Sequence, residues 1–328
     1  MARSLAYAVW AATMSLYSAL VFGQAATTGA ALPYPSKPVR IITSEVGGGA
    51  DFVSRLLAQE MAGGLGNPVI VENRGGIVAP DLVVKAAPDG YTLLGTADNV
   101  WLAPLIRKTS YDAVTDFAPI SLVGKAPLVL AVHPSVPVKS VKELISLAKR
   151  HPGELNYGTS TIGTPVHLAA ELFKPLAGVN VVGVYYKGSA QALTAIISGE
   201  VQIMFGTVGT VMPHVKSGRL KPLAVTSAQP STLAPGLPAV AASGLPGYEV
   251  AVTYSVFAPS KTPSAIINRL NQELVRILGR ADVTEKFLKA GGIEAAASTP
   301  EQLAATVKSE MAKFGKVIKE AGIRVDGS

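Results

Sequence analysis

"TSEVGGGADFVSRLLAQEM" runs from Thr43 to Met61. An apolar run, Val39 to Ile42, leads into it, and three glycines separate that run from an amphipathic pattern. Phe52, Leu56, Leu57 and Met61 recur at helical spacing, with Arg55, Gln59 and Glu60 on another face. The stretch reads as strand, glycine loop, helix. Glycine lets backbone N–H groups approach a ligand without a Cβ in the way, and a helix start adds unpaired donors and partial positive charge. Both favour an anion. On this loop alone, a turn with no ligand stays open. The dinucleotide pattern fails on spacing. With Gly47 and Gly49 as the first two glycines, the third position is Phe52, although Glu72 stands where a ribose-binding acid would. The phosphate-loop pattern fails as well, because Gly124-Lys125 precedes Ala126 and not Ser or Thr.

Working outward, strand-like runs alternate with helical patterns. Strands are expected over 39–43, 68–73, 91–96, 118–124, 128–133, 155–160, 179–186, 201–206, 220–227 and 249–260. A short helix is expected between 75 and 88. Ser140 and Glu143 form a capping box before a helix to Arg150, Pro165 opens a helix to about Ala177, and another spans Gly188 to Ser198. Pro and Gly crowd 230–247, a surface connection. The tail is helical. Thr262-Pro263 precedes Ile266 to Leu278, and Thr299-Pro300-Glu301-Gln302 precedes Leu303 to Ala321. This alternation predicts a mostly parallel sheet, and so many strands favour two α/β domains. Ligands of such sheets sit beyond the strand C-termini, where loops lead into helices.

Four more loops of that kind follow. "ENRGGIVAPD" (72–81) repeats strand, glycines, helix on the next strand, which raises the anion reading. Arg74 could add charge, or serve as a surface ion-pair partner. "GTSTIGTPVH" (158–167) offers the hydroxyls of Ser160, Thr161 and Thr164 to a carboxylate. Ser160 is not in the G-x-S-x-G setting of a nucleophile, and Thr164 also suits a helix cap. "YYKGS" (185–189) presents Lys187 to ligand or solvent, and "FGTVGT" (205–210) is the fifth loop. Histidines 133, 151, 167 and 214 lack metal-ligand spacing. No paired carboxylates recur at loop ends, so neither a cofactor nor acid–base catalysis is expected.

With 16% charged and 48% hydrophobic residues in 328, the chain can bury large cores and should be ordered. The formal charge is +7, but the basic residues are scattered and aromatics total 6%, which disfavours a nucleic-acid groove. Such a field still attracts small anions. The absence of cysteine excludes disulfides and thiolate metal sites. Arg3, the uncharged Leu5–Phe22 run and the small residues of Gly23-Gln24-Ala25 read as a cleaved export signal over 1–25, with an uncleaved anchor as the alternative.

From Tyr34 to Ile323 the chain resembles the Bug-type periplasmic solute-binding proteins, the tripartite tricarboxylate transporter receptors. The resemblance is carried by "YPSKPVRII", "GGGAD", "PVIVENR", "KAAPDGYTLL", "YDAVTDFAPISLV", "NYGTSTIGTPVHLAAELF", "VYYKGSAQAL", "MPHVKSGRLKPLAVTS", "GLPGYE" and "TPEQL". It implies an α/β fold of the two-lobed, type II periplasmic binding protein kind with a two-strand hinge. Residues 34–130 and 251–328 would form lobe 1, and 131–250 lobe 2. It further implies a small carboxylate held by Glu45, Gly47, Gly48, Gly49, Ala50 and Asp51, by Gly75, Gly76 and Ala79, and by Asp98. Ser160, Thr161, Gly163, Thr164, Lys187, Gly188, Gly206 and Thr207 would close on it from the other lobe. The expected partners are that carboxylate and membrane permease subunits, and the expected state is a monomeric, non-enzymatic receptor. Two alternatives remain: a sensor presenting the same ligand to a membrane receptor kinase, and a nucleotide-dependent enzyme. The chain departs from the family pattern in having Thr43-Ser44-Glu45-Val46 before its glycines, where Pro-Phe-Ala-Pro is usual.

Overall fold

The computed structural model describes residues 34–44, 46–75, 78–159, 162–186, 188–320 and 323. The export signal expected over 1–25 lies outside them. Contacts divide the chain into Met1–Ser36 and Lys37–Ser328. Of the first unit only Tyr34–Ser36 are described, and the Tyr34–Pro35 peptide is cis. No described helix is long and apolar enough to cross a membrane.

Within Lys37–Ser328 the chain starts with β1 (Val39–Thr43), α1 (Gly49–Leu65), β2 (Val69–Asn73), α2 (Val78–Val84), β3 (Thr92–Ala97) and α3 (Asn99–Leu102). These strands are parallel, with β1 between β2 and β3. Gly48 caps α1 in extended conformation, and Gly66 ends it in the left-handed region at φ 69°. Helix and strand meet most closely at Gly95, where an added Cβ would lie 2.3 Å from Ser54 Oγ and 2.8 Å from Ile41 Cγ2. Phe52, the residue that breaks the dinucleotide pattern, instead meets Phe287 edge-on at 6.3 Å.

The next strand, β4 (Phe117–Val132), joins the two halves of the fold. After it come α4 (Val141–Arg150), β5 (Asn156–Thr159), α5 (Pro165–Ala177), β6 (Val182–Tyr185), α6 (Ser189–Ser198), β7 (Ile203–Thr207), α7 (Val208–Lys216) and β8 (Lys221–Val225). The capping boxes form as expected. Glu143 N–H donates to Ser140 Oγ at 3.2 Å and Lys139 N–H to Glu143 Oε2 at 2.8 Å. In the second half β5 lies parallel to β6 and β7, while β4 runs antiparallel to β7 and β8.

The chain then returns through β9 (Ala251–Pro259), α8 (Ser264–Leu278), α9 (Ala281–Lys286), β10 (Glu294–Ala295) and α10 (Pro300–Glu320). Strand β9 is antiparallel to both β3 and β4. The order is β2-β1-β3-β9-β4-β7-β5-β6, with β8 and β10 also on β4. Two expectations are corrected here. The sheet is mixed, because β4 and β9 oppose their neighbours at its centre. The strands expected at 118–124 and 128–133 are one strand. Pro127 lies where β4 passes from β9 to β7 and β8, at the end of the β9 ladder opposite Ala251, so its missing N–H does not break the strand. The Thr262-Pro263 helix start also shifts. Thr262 Oγ1 donates to Pro259 O at 2.8 Å and the helix begins at Ser264 without a side-chain cap.

Each half has its own core. Leu57, Met61, Leu93 and Trp101 are fully buried in the first. Val129, Ala131, Ile196, Val201 and Met204 pack together in the second. Two segments cross between the halves, β4 near Leu128 and the chain at Val250. Thr226, fully buried, ties them: its Oγ1 accepts from Leu128 N–H at 2.9 Å and donates to Val250 O at 2.6 Å.

Candidate functional site

At the start of α1, the chain folds so that its own acid does not occupy the helix end. Asp51 reaches back and accepts from Gly47 N–H at 2.9 Å, from Asn73 Nδ2 at 2.8 Å and from Arg55 Nε at 2.9 Å. Burial opposes ionisation of this carboxyl, but the three hydrogen-bonded contacts outweigh it and hold its pKa below the ordinary value. Asn73 also donates to Ser44 O at 2.8 Å. The result is a braced loop in which Gly47 takes φ 81°. The N–H groups of Gly48, Gly49, Ala50 and Asp51 have no acceptor among the described residues.

That helix end opens onto a cavity of about 600 Å³. Gly49 and Ala50 line it from α1, Asp98 and Asn99 from where β3 passes into α3, Ile106 and Arg107 from the turn after α3, and Val252 and Tyr254 from β9. Gly163, Thr164 and Pro165 line it from the other half. The Tyr254 phenol lies against the helix end: an added Cβ on Gly49 would be 2.1 Å from its oxygen. Burial raises the Tyr254 pKa, and the Asp98 charge raises it further, so the group is a neutral O–H donor. It has no partner among the described residues.

Asp98 is 2% exposed. Its Oδ2 accepts from Thr253 N–H at 3.2 Å, and its Oδ1 has no partner. Burial pushes its pKa well above the ordinary value, and the charge of Glu310 adds to this. Glu310 lies behind β9, accepting from Trp101 Nε1 at 2.8 Å and from Thr253 Oγ1 at 3.2 Å. Thr253 thus links both acids.

Across the cavity, Gly163 has φ 82°, and an added Cβ there would lie 2.0 Å from Ile106 Cδ1. The loop is held from behind by His167, fully buried, whose Nδ1 accepts from Gly163 N–H at 3.2 Å. Nδ1 is therefore unprotonated, and Nε2 carries the hydrogen toward Tyr185 Oη at 3.1 Å. Burial lowers the His167 pKa; Glu171 opposes that and Lys174 reinforces it. A lowered folded-state pKa means the unfolded chain binds the extra proton first. This contribution to stability is complete above the unfolded pKa of about 6.5 and is lost as pH falls toward the folded value. Thermal melts between pH 8 and 5 should show that acid-side loss reduced in His167→Asn, whose amide oxygen keeps an acceptor near Nδ1.

The expected site residues fall into groups. Gly49, Ala50, Asp98, Gly163 and Thr164 line the large cavity together. Gly47 and Gly48 are exposed on its rim loop, and the Asp51 side chain braces that loop from behind. Gly206 and Thr207 line a separate cavity of about 50 Å³ with Gly158 and Thr159. Gly75 is exposed, Ala79 is buried in α2, and Gly188 caps α6; none of the three lines the large cavity. Glu45, Gly76, Ser160, Thr161 and Lys187 lie outside the described residues. Glu72, the would-be ribose ligand, pairs with Arg40 at 3.1 Å and Arg74 at 3.3 Å. Tyr254, Ile106 and Arg107 were not expected. Nothing in a strand pattern marks Tyr254 as facing a cavity, and Arg107 follows no glycine loop.

Comparison with known proteins agrees with this architecture. The family described as "Tripartite tricarboxylate transporter family receptor" matches residues 53–323. Protein BugT of Bordetella pertussis is 33% identical over 312 residues, covering 92% of this chain and 95% of BugT. The structure "R. palustris Rpa4515 with adipate" superposes with a TM-score of 0.77 at 35% identity, covering 89% of this chain and 99% of that one. "MatC (Rpa3494) from Rhodopseudomonas palustris with bound malate" gives 0.70 at 29%, covering 87% and 100%. The chain belongs to the tripartite tricarboxylate transporter receptor family, the Bug-type solute-binding proteins.

Proposed function

We propose that this protein is an exported, monomeric receptor that captures a small organic carboxylate between two lobes and delivers it to the permease of a tripartite transporter. It binds without making or breaking bonds. Residues 34–130 and 251–328 form one lobe and 131–250 the other, and the hinge is the pair of crossing segments tied by Thr226. The observation that carries this function is the start of α1: four N–H groups without acceptors among the described residues, with Gly49 and Ala50 of that end and Tyr254 lining one cavity. Such an array suits a carboxylate, which accepts several charge-assisted hydrogen bonds. Relatives of this fold hold adipate and malate.

Lobe closure around the ligand is a hinge motion, and the closed form gives the permease a shape to recognise. Isothermal titration against aliphatic, aromatic and tricarboxylic acids tests the function directly. Micromolar binding of neutral sugars or cations alone would count against it. Gly48→Val is expected to weaken acid binding about 10-fold without unfolding the chain. Gly48 sits at φ −78°, where any residue is comfortable, but a branched side chain hinders approach to the amides. Wild-type affinity in a folded variant would remove the α1 end from the site.

A further inference from the structure

Arg107 is an exposed guanidinium on the cavity wall. Its backbone N–H donates to Ala103 O at 3.0 Å and its charge acts on the nearby Tyr111 hydroxyl, but among the described arginines its side chain alone has neither an ion pair nor a hydrogen bond. Arg40, Arg55, Arg74, Arg269, Arg276 and Arg280 hold carboxylates. Arg150 and Arg219 donate to serine hydroxyls. A planar fork of donors left free at the wall of a cavity is suited to a second carboxylate, which it can grip through two parallel hydrogen bonds.

The rest of the wall leaves that charge uncompensated. Asp98 is the described carboxyl lining the cavity, and it is buried, with one oxygen on Thr253 N–H. The α1 end contributes backbone dipoles and Tyr254 a neutral hydroxyl. The lining therefore has two anion-seeking places of different kind, one made of amides and one of a full positive charge. Arg107 also follows Ile106, the residue nearest to Gly163 of the other half. A ligand end held by Arg107 therefore lies beside the place where the halves meet.

We infer that Arg107 selects dicarboxylates: one carboxylate of the ligand lies on the α1 amides and the other on the Arg107 guanidinium. This assignment builds on the carboxylate-receptor function proposed above. A monoacid of equal length fills the same cavity but makes no direct contact with Arg107, so the guanidinium sets the ratio of diacid to monoacid affinity.

Titration of the full mature chain with two matched pairs, succinate against butyrate and adipate against hexanoate, tests this. In the wild type the better diacid should bind 10- to 100-fold tighter than its partner, the usual size of one charge-assisted contact. Arg107→Gln should bring the diacid down toward the monoacid affinity, a loss at least 10-fold greater than that of the monoacid, which loses only the through-space attraction. Arg107→Lys should restore part of the preference, since a point charge replaces the fork. Equal losses for diacid and monoacid, or no loss for either, would overturn the assignment while leaving the receptor function standing. A wild type that binds monoacids as tightly as diacids would overturn it alone. A wild type that binds neither member of either pair would overturn it together with the carboxylate function.

Discussion

Gly163→Val is expected to lower carboxylate affinity about 100-fold. Two effects add. The φ of 82° at Gly163 lies in the left-handed region, where a β-branched residue is a strong outlier costing about 1–2 kcal/mol. The new Cβ would also lie 2.0 Å from Ile106 Cδ1, so the isoleucine must swing away, and the cavity it lines is beside it. Off-rotamer placement of a packed side chain adds about 1 kcal/mol. The free protein relieves this strain by moving the loop out of its cavity-lining position, and binding must restore it; about 3 kcal/mol lost that way corresponds to roughly 100-fold. Moving the loop also breaks the Gly163 N–H bond to His167. The same substitution made in an Ile106→Ala background separates the two parts. If backbone strain is real, about half the loss should persist there. Full recovery would mean that only the isoleucine contact matters, and an unchanged affinity in the single variant would place the ligand away from this loop.

Gly95→Val is the largest expected loss of stability, about 3 kcal/mol. Gly95 lies in β3 with β1 on one side and β9 on the other. Its Cβ would meet Ser54 Oγ at 2.3 Å and Ile41 Cγ2 at 2.8 Å, and both partners are buried. Neither can leave without moving α1 off the sheet, and overpacking of this kind costs about 1–3 kcal/mol, occasionally more. Urea unfolding should show a lower midpoint with the slope unchanged. Adding Ser54→Gly should recover part of the loss by removing the nearer atom. A midpoint within error of the wild type would show that helix and strand separate easily here. Because the proposed carboxylate site includes the α1 amides, the double variant should also regain ligand affinity.

How far the sequence foretold this structure depends on how local each feature is. Helix starts were legible because their signals are short-range: Pro165 after Thr164, Ser140 with Glu143, and Thr299 with Gln302 all act within one turn. The parallel outer strands followed from alternation with helices. The centre of the sheet did not. Lys125-Ala126-Pro127 looks like a break, and only the change of partner strand at that point explains why the strand continues. The π-helical turn at Phe287–Gly291 and the short α9 have no periodic pattern long enough to detect.

The site divides along the same line. Glycine loops pointed to Gly49, Ala50 and Gly163, which line the cavity, because a backbone approach is what glycine permits. Tyr254 and Arg107 are placed by tertiary packing: one is an alternate residue of a strand, the other an ordinary surface-type arginine. The role of Asp51 also needed Asn73, from the end of β2, to be visible; only its pairing with Arg55, one turn on in α1, is local.

Strand β4 is 16 residues long and pairs with β9 and β10 along its first part and with β7 and β8 along its last. Its first part is a rung of one core and its last part a rung of the other. Melting either core therefore frays the central strand of its neighbour, so the two halves share a single cooperative fate on heating. The lobe closure proposed above, by contrast, needs only a gentle bend where the strand changes partners. On that proposal the molecule is soft toward opening and shutting yet stiff toward coming apart.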